Sequence, residues 1–186
     1  MTEQTLDNWY KELHKNPLVE RGLPPVEKWN PPLSGDIDIR ITRQGVWFHE
    51  GGEIKRQPLV KLFSSILKRE NDDYFLVTPE EKWRIQVEDV PFFFTQLKVE
   101  RKGNDQALVF SSTTDDLVIV DQQHPLRVAV DTESGEPSPY VLLRGGMEGL
   151  ISRSVYYQLA DISEARQVDG KEVFGVSSMG CFFSLY

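Results

Sequence analysis

Apolar positions along this chain recur with two periods, and the change between them marks out its elements. Ile37, Ile39 and Ile41 alternate with Asp36, Asp38, Arg40 and Thr42, the two-residue period of a half-buried strand. Gln44-Gly45 predicts a turn, residues 46–49 a returning strand, and Gly51-Gly52 a second turn. Pro58 then stands where a helix accepts proline, in its first turn. Leu59, Leu62, Phe63, Ile66 and Leu67 follow at the i, i+3, i+4, i+7, i+8 spacing of a core-facing helix. Lys61, Ser64, Ser65, Lys68 and Arg69 take the opposite face, and Asn71-Asp72-Asp73 ends the helix with turn-forming residues.

Either side of this stretch the pattern changes. Upstream, Leu6, Trp9, Tyr10 and Leu13 predict one face of a short helix over 6–14, with Thr5 as its cap. Pro17, Pro24, Pro25, Pro31 and Pro32 follow. Each fixes φ and removes a donor, so this part is an extended arm, pinned by Trp29. Downstream come strands over 74–78 and 83–88, then 92–99, 107–112, 117–121, 126–131, 140–144, 172–177 and 181–185, separated by turn signals. A helix is predicted from Met147 to about Ala160. Asp89-Val90-Pro91 is the domain boundary, because Pro91 breaks the sheet pattern. The chain thus divides into an arm (1–33), an N-terminal α/β subdomain (34–89) and a strand-rich C-terminal subdomain (90–186).

The two subdomains carry an echo of one another. An offset of 88 positions takes Arg56 onto Arg144, and Leu59, Leu62, Phe63, Ile66 and Leu67 onto Met147, Leu150, Ile151, Ser154 and Val155. Both copies read strand, arginine, turn, helix, strand, strand. The fold class expected is α+β, two related α/β subdomains arising from an internal duplication.

Charge narrows the functional classes. The net charge of −8 argues against non-specific nucleic-acid binding, which needs a basic surface to displace counterions. A single cysteine, Cys181, excludes an intrachain disulfide. The N-terminus has no apolar signal core and no run has the length of a membrane span, so a cytoplasmic location without membrane association is expected.

Candidate chemistry centres on the two arginines placed ahead of helices. A helix N-terminus offers unpaired amides and about half a positive charge, a seat for phosphate or carboxylate. Arg56 with Lys55, and Arg144 with the Gly145-Gly146 turn, each add a cation there. Alternatively each arginine pairs with a nearby carboxylate such as Glu53 or Glu148. Trp47 and His49 share one side of their strand, with Arg40 and Thr42 expected beside them across the hairpin. That face can stack a base, or it can be a packing surface. Asp36 and Asp38 suggest metal, but Arg40 follows on the same face. His14, His49 and His124 lack zinc-site spacing, so no metal and no cofactor are expected. No phosphate loop, dinucleotide fingerprint or nucleophile elbow is present, and no catalytic constellation emerges.

The run from Asp38 to Phe92, DIRITRQGVWFHEGGEIKRQPLVKLFSSILKRENDDYFLVTPEEKWRIQVEDVPF, the later RGGMEGLISRSVYYQL and the SSMG turn together resemble a bacterial family known as a domain of unknown function, DUF1285. The resemblance implies a duplicated core, a C-terminal domain superficially like a pleckstrin-homology domain, and a ligand site at the domain interface, for a nucleotide-based molecule. It implies a role in signal transduction and brings no catalytic residues. The expectation is a non-enzymatic sensor that binds a phosphorylated or nucleotide-like molecule through Arg40, Trp47, His49, Lys55, Arg56, Arg144, Gly145 and Gly146. The alternative is a protein–protein interaction module, argued from the aromatics Trp83, Phe92, Phe93 and Phe94.

Overall fold

The computed structural model describes residues 22–186, so the helix expected over 6–14, its Thr5 cap and Pro17 lie outside the described residues. After a single 3-10 turn at Val26–Lys28, the N-terminal domain runs β1 (Leu33–Ile41), β2 (Trp47–His49), β3 (Gly52–Glu53), α1 (Gln57–Ser65), β4 (Leu67–Glu70), β5 (Asp73–Val77) and β6 (Lys82–Val87). The C-terminal domain runs β7 (Phe92–Lys102), β8 (Asp105–Ser112), β9 (Leu117–Ile119), β10 (Leu126–Val130), β11 (Pro137–Arg144), β12 (Met147–Ile151), α2 (Arg153–Asp161), β13 (Glu164–Val168), β14 (Lys171–Ser178) and β15 (Cys181–Ser184).

Both domains are built on one plan. The N-terminal sheet has the order β3-β2-β1-β6-β5-β4, the C-terminal sheet β9-β8-β7-β12-β11-β10. Each is two three-stranded antiparallel meanders, joined at the centre where the first strand of the unit pairs in parallel with its last: β1 with β6, β7 with β12. The two domains are therefore related in plan, in a different register from the 88-residue echo. Equivalent strands begin 58 to 65 positions apart, as Trp47 and Asp105 or Lys82 and Met147 show. The helices are not equivalent. α1 lies between the third and fourth strands of its unit, where the C-terminal unit has only a loop, and α2 follows the sixth. The echo matched two amphipathic patterns of unrelated position, which any two such helices supply.

One hydrophobic core serves both domains. It joins Ile39, Ile41, Trp47, Val60, Leu67 and Leu76 to Phe92, Phe94, Phe110, Leu143, Met147 and Val155. Phe92 and Phe94, expected as exposed aromatics, are at its centre, 1% and 0% exposed.

Two helix predictions are corrected. α1 stops at Ser65, and Leu67 opens β4 opposite Leu76. Its buried residues are Val60 and Ser64, while Leu62 is 57% exposed. The apolar series continued past the helix because it ran on into a strand whose cross-strand partner also wants Leu67 buried. Lys68 is consequently not on a helix surface. It is buried in β4, where its Nζ donates to the Trp29 carbonyl (2.9 Å) and Asn30 Oδ1 (2.8 Å) and pins the arm. The second expected helix begins late: residues 147–151 pair as β12 with β7 and β11, and only Ser152 caps α2, accepting from the Val155 amide.

The SSMG motif closes the third sheet, β13-β14-β15, and fastens it. Met179 and Gly180 both have positive φ, so they make the two-residue turn between β14 and β15. Ser178 is fully buried. Its hydroxyl donates to the Val120 carbonyl (2.5 Å) and accepts from the Leu108 amide (2.9 Å), spanning the end of the β8–β9 ladder. Removing it strands two buried backbone groups. Ser178→Ala is expected to lower unfolding free energy by about 2–3 kcal/mol, read by urea titration. A loss below about 0.5 kcal/mol contradicts this role.

Candidate functional site

The predicted site residues do not meet in one cleft. β1 and β2 pair with Ile41 opposite Trp47, Arg40 opposite Phe48 and Ile39 opposite His49. Arg40 therefore lies on the Phe48 side, its guanidinium 4.9 Å from that ring and paired with Glu88, and not beside Trp47. Trp47 faces the core at 2% exposure and stacks on Phe63 with ring centroids 6.2 Å apart, so it is not open to a ligand ring. Its indole N–H is buried without a hydrogen-bond partner. His49 is exposed at the end of β2, and Lys55 is exposed in the loop before α1. Arg56 is the N-cap residue of α1, with extended backbone and no side-chain cap.

Arg144 is the larger correction. It precedes a strand, not a helix, and its guanidinium reaches the opposite end of α1 from Arg56. Nη2 donates to the Ser64 carbonyl (2.9 Å), Nη1 pairs with Asp116, and the group lies 4.6 Å from the Phe92 ring centroid. Eight residues of helix, about 12 Å at 1.5 Å per residue, separate Ser64 from Arg56. The Asp116 carboxylate also accepts from Ser112 Oγ (3.1 Å) and Thr114 Oγ1 (2.5 Å). A cation at a helix C-terminus, paired to a carboxylate already oriented by two hydroxyls, is an interdomain latch. Arg69 adds a bond to the Gly146 carbonyl (3.0 Å), and Lys61 pairs with Asp115. Gly145 and Gly146 have φ of 54° and 70° and make the β11–β12 turn. A Cβ on Gly145 would come within 2.8 Å of Glu27 Oε1, so the pair serves the turn and the arm.

A cleft does lie between the domains, about 420 Å³ in volume. The β1–β2 turn of the N-terminal domain supplies Arg43 and Gln44. The C-terminal domain supplies Phe93, the start of β11 at Pro137-Ser138, and the beginning of α2 with Ser152, Arg153, Tyr156 and Tyr157. Gly45 lets the turn press on the C-terminal domain, since a Cβ there would stand 2.8 Å from Phe93 Cβ. Arg43 is held in place: Nη2 donates to Ser138 Oγ (2.6 Å), Nε lies 3.2 Å from Asp89, and its amide donates to Glu88 (3.0 Å). Arg153 pairs with Glu136 at 3.1 Å. The first turn of α2 contains no acidic residue, so its positive end is not offset locally. Tyr156 donates to the Leu185 carbonyl (3.1 Å), and burial pushes its phenol above the usual range, so the hydroxyl remains a donor at neutral pH. A second recess of about 410 Å³ lies beyond Arg43 and is acidic, with Glu88, Asp89 and Asp131 on its walls.

This arrangement offers two guanidiniums, aromatic surface and the amide end of a helix. Among the residues described, no group of three or more His, Cys, Asp or Glu stands together as a metal site. Sequence reasoning passed over Arg43 and Arg153. Arg153 had a readable signal, since Ser152 ahead of an apolar series at helical spacing is a cap signature. Arg43 had none, because only the interdomain contact gives the turn a function. For the latch, Arg144→Met is expected to destabilise the protein by about 1–3 kcal/mol, below the usual cost of breaking a buried pair because the guanidinium is partly exposed. Urea titration checks it, and an unchanged midpoint contradicts it.

Comparison with known proteins places this architecture. The N-terminal domain of the domain of unknown function DUF1285 matches residues 24–90, and the C-terminal domain of the DUF1285 proteins matches residues 91–185. A crystal structure of a DUF1285 family protein from Silicibacter pomeroyi DSS-3 is 47% identical, with a TM-score of 0.82 over 89% of this chain and 88% of that one. One from Shewanella baltica OS155 is 30% identical, with a TM-score of 0.53 over 66% of this chain and 90% of that one. No protein in the curated comparison matches. No helix among the described residues is long and apolar enough to cross a membrane. By both domain matches, which together span most of its length, this chain belongs to the DUF1285 family.

Proposed function

We propose that this protein is a non-catalytic sensor of a small anionic molecule, phosphorylated or nucleotide-like, which binds in the cleft between the two domains and serves signal transduction. The observation that carries the reading is the convergence of Arg43 and Arg153 from different domains on one cleft of about 420 Å³. The cleft has the size of a small-molecule site. Arg153 and the amide end of α2 attract the anion, Arg43 is a fixed second cation, and Phe93 and Tyr157 offer faces to a ring. The site is thus reassigned from Lys55, Arg56 and Arg144 to Arg43 and Arg153. Among the described residues at the cleft no nucleophile is oriented by a base, which favours binding over turnover. The pleckstrin-homology likeness implied by the family enters only as a general shape, with no phosphoinositide site attached.

A second reading is an interaction module without a small ligand. The observation in its favour is Phe174 stacked on Tyr186 on the third sheet, 39% and 63% exposed.

A thermal-shift panel of nucleoside mono-, di- and cyclic phosphates separates the readings. At 100 times its Kd a ligand adds about 2.7 kcal/mol, several degrees in Tm. The sensor reading predicts a shift for at least one compound, reduced in Arg153→Ala, whose side chain is exposed and pairs with Glu136 at the cleft. No shift with any phosphate-bearing compound overturns it.

A further inference from the structure

The third sheet ends in an unguarded edge. β13 pairs on one side with β14, and among the described residues no strand pairs with its other side. All five residues from Glu164 to Val168 are exposed. Exposed edges are ordinarily blunted by proline, an inward charge, a bulge or a covering loop, because unpaired N–H and C=O groups recruit another strand. β13 has no proline, and its register with β14 runs unbroken from Glu164↔Gly175 to Val168↔Lys171. It is a straight, open template.

Its side chains are self-complementary. Glu164 and Arg166 stand on one face, Ala165 and Gln167 on the other. When two copies of β13 pair antiparallel about a twofold through Ala165, Glu164 of each falls opposite Arg166 of the other, twice. On the other face Ala165 meets its own copy. Phe174, the cross-strand partner of Ala165 on β14, then extends a row Phe174–Ala165–Ala165–Phe174 across four strands. The registers centred on Glu164 or Arg166 set like charges opposite each other and are disfavoured. Within one chain Arg166 pairs with Glu164 of its own strand (2.6 Å), Ser177 Oγ bonds both (2.8 and 2.6 Å), and the guanidinium lies 4.6 Å from the Phe182 ring centroid. Pairing of two copies therefore exchanges these intrachain pairs for interchain ones, and the charges set register more than affinity. The exposed Phe174–Tyr186 stack and Val168 flank the same edge.

We propose that β13 is a homodimerisation edge, through which two copies of this chain join their three-stranded sheets into one of six strands, in the register set by Glu164 and Arg166. The occupant is a second copy because the charge pattern complements itself in one symmetric register. This inference stands on the third sheet and does not depend on the cleft.

Sedimentation velocity on the full chain, from micromolar to several hundred micromolar, tests it. The parent is expected to show a concentration-dependent monomer–dimer equilibrium that weakens with salt. Arg166→Glu, which sets Glu opposite Glu twice, is expected to raise the dimer Kd about tenfold. The swap Glu164→Arg with Arg166→Glu restores the opposite-charge register and is expected to return Kd to within about threefold of the parent. Ala165→Arg, at an exposed position where the monomer fold tolerates a long side chain, places two cations on the twofold and abolishes the dimer. Far-UV circular dichroism confirms that each variant is folded. A parent that stays monomeric at the highest concentration overturns the proposal. So does a dimer of unchanged Kd in both Arg166→Glu and Ala165→Arg.

Discussion

Arg144 binds a carbonyl at the end of α1 in one domain and a carboxylate in the other, over the ring of Phe92, and the arrangement of the two sheets depends on that contact. The last carbonyls of a helix carry partial negative charge and have no intrahelical partner. A guanidinium satisfies one of them while pairing with Asp116, whose orientation Ser112 and Thr114 fix in turn. Each group offsets the desolvation of the next, so loss of one leaves its partners unsatisfied in a largely buried setting. Arg69 and Lys61 repeat the connection nearby, from the same domain to adjacent turns of the other. The hydrophobic core beneath runs without a break between the domains.

The cleft is built from residues other than those of the latch. There the β1–β2 turn meets β7 and the start of α2, and contact is made by polar groups at the tips of elements. A duplicated plan explains why such a space exists. The same six-stranded plan occurs twice with different helix placements, α1 within the first unit and α2 after the second. The surfaces are related without being identical, and cannot close fully over their whole contact. Of the arginines that enter the gap, Arg153 comes from α2, which has no counterpart in the first unit, and Arg43 from the β1–β2 turn, whose counterpart is the β7–β8 turn.

Much of this plan could be read from the chain. Alternation at Ile37, Ile39 and Ile41 gave β1, and most of the C-terminal strands followed from alternation and turn residues, because a half-buried strand imposes its period locally. What failed depended on contacts far away in sequence. Leu67 fits the helical spacing of α1, yet its place is set by Leu76 in the neighbouring strand. Met147, Leu150 and Ile151 fit a helix as well as a strand, and pairing with β7 and β11 decided the matter. The 88-residue echo joined these two errors, and so it paired Arg56 with Arg144, two residues whose roles differ. Trp47 was placed on a strand with stacking and packing both open, and its burial in the core decides for packing. Arg40 was expected beside it and lies beside Phe48, because hairpin register could not be read from the turn residues alone. The cleft itself was illegible, since an interdomain space is a property of how two surfaces meet and has no local pattern.

Differential scanning calorimetry of the unmodified protein tests the central claim, that the Arg144 latch and the shared core make the two domains one cooperative unit with a permanent cleft. The account predicts one unfolding transition, with calorimetric and van't Hoff enthalpies equal. Two resolved transitions, or a van't Hoff enthalpy near half the calorimetric value, would mean that the domains unfold independently, and would contradict it.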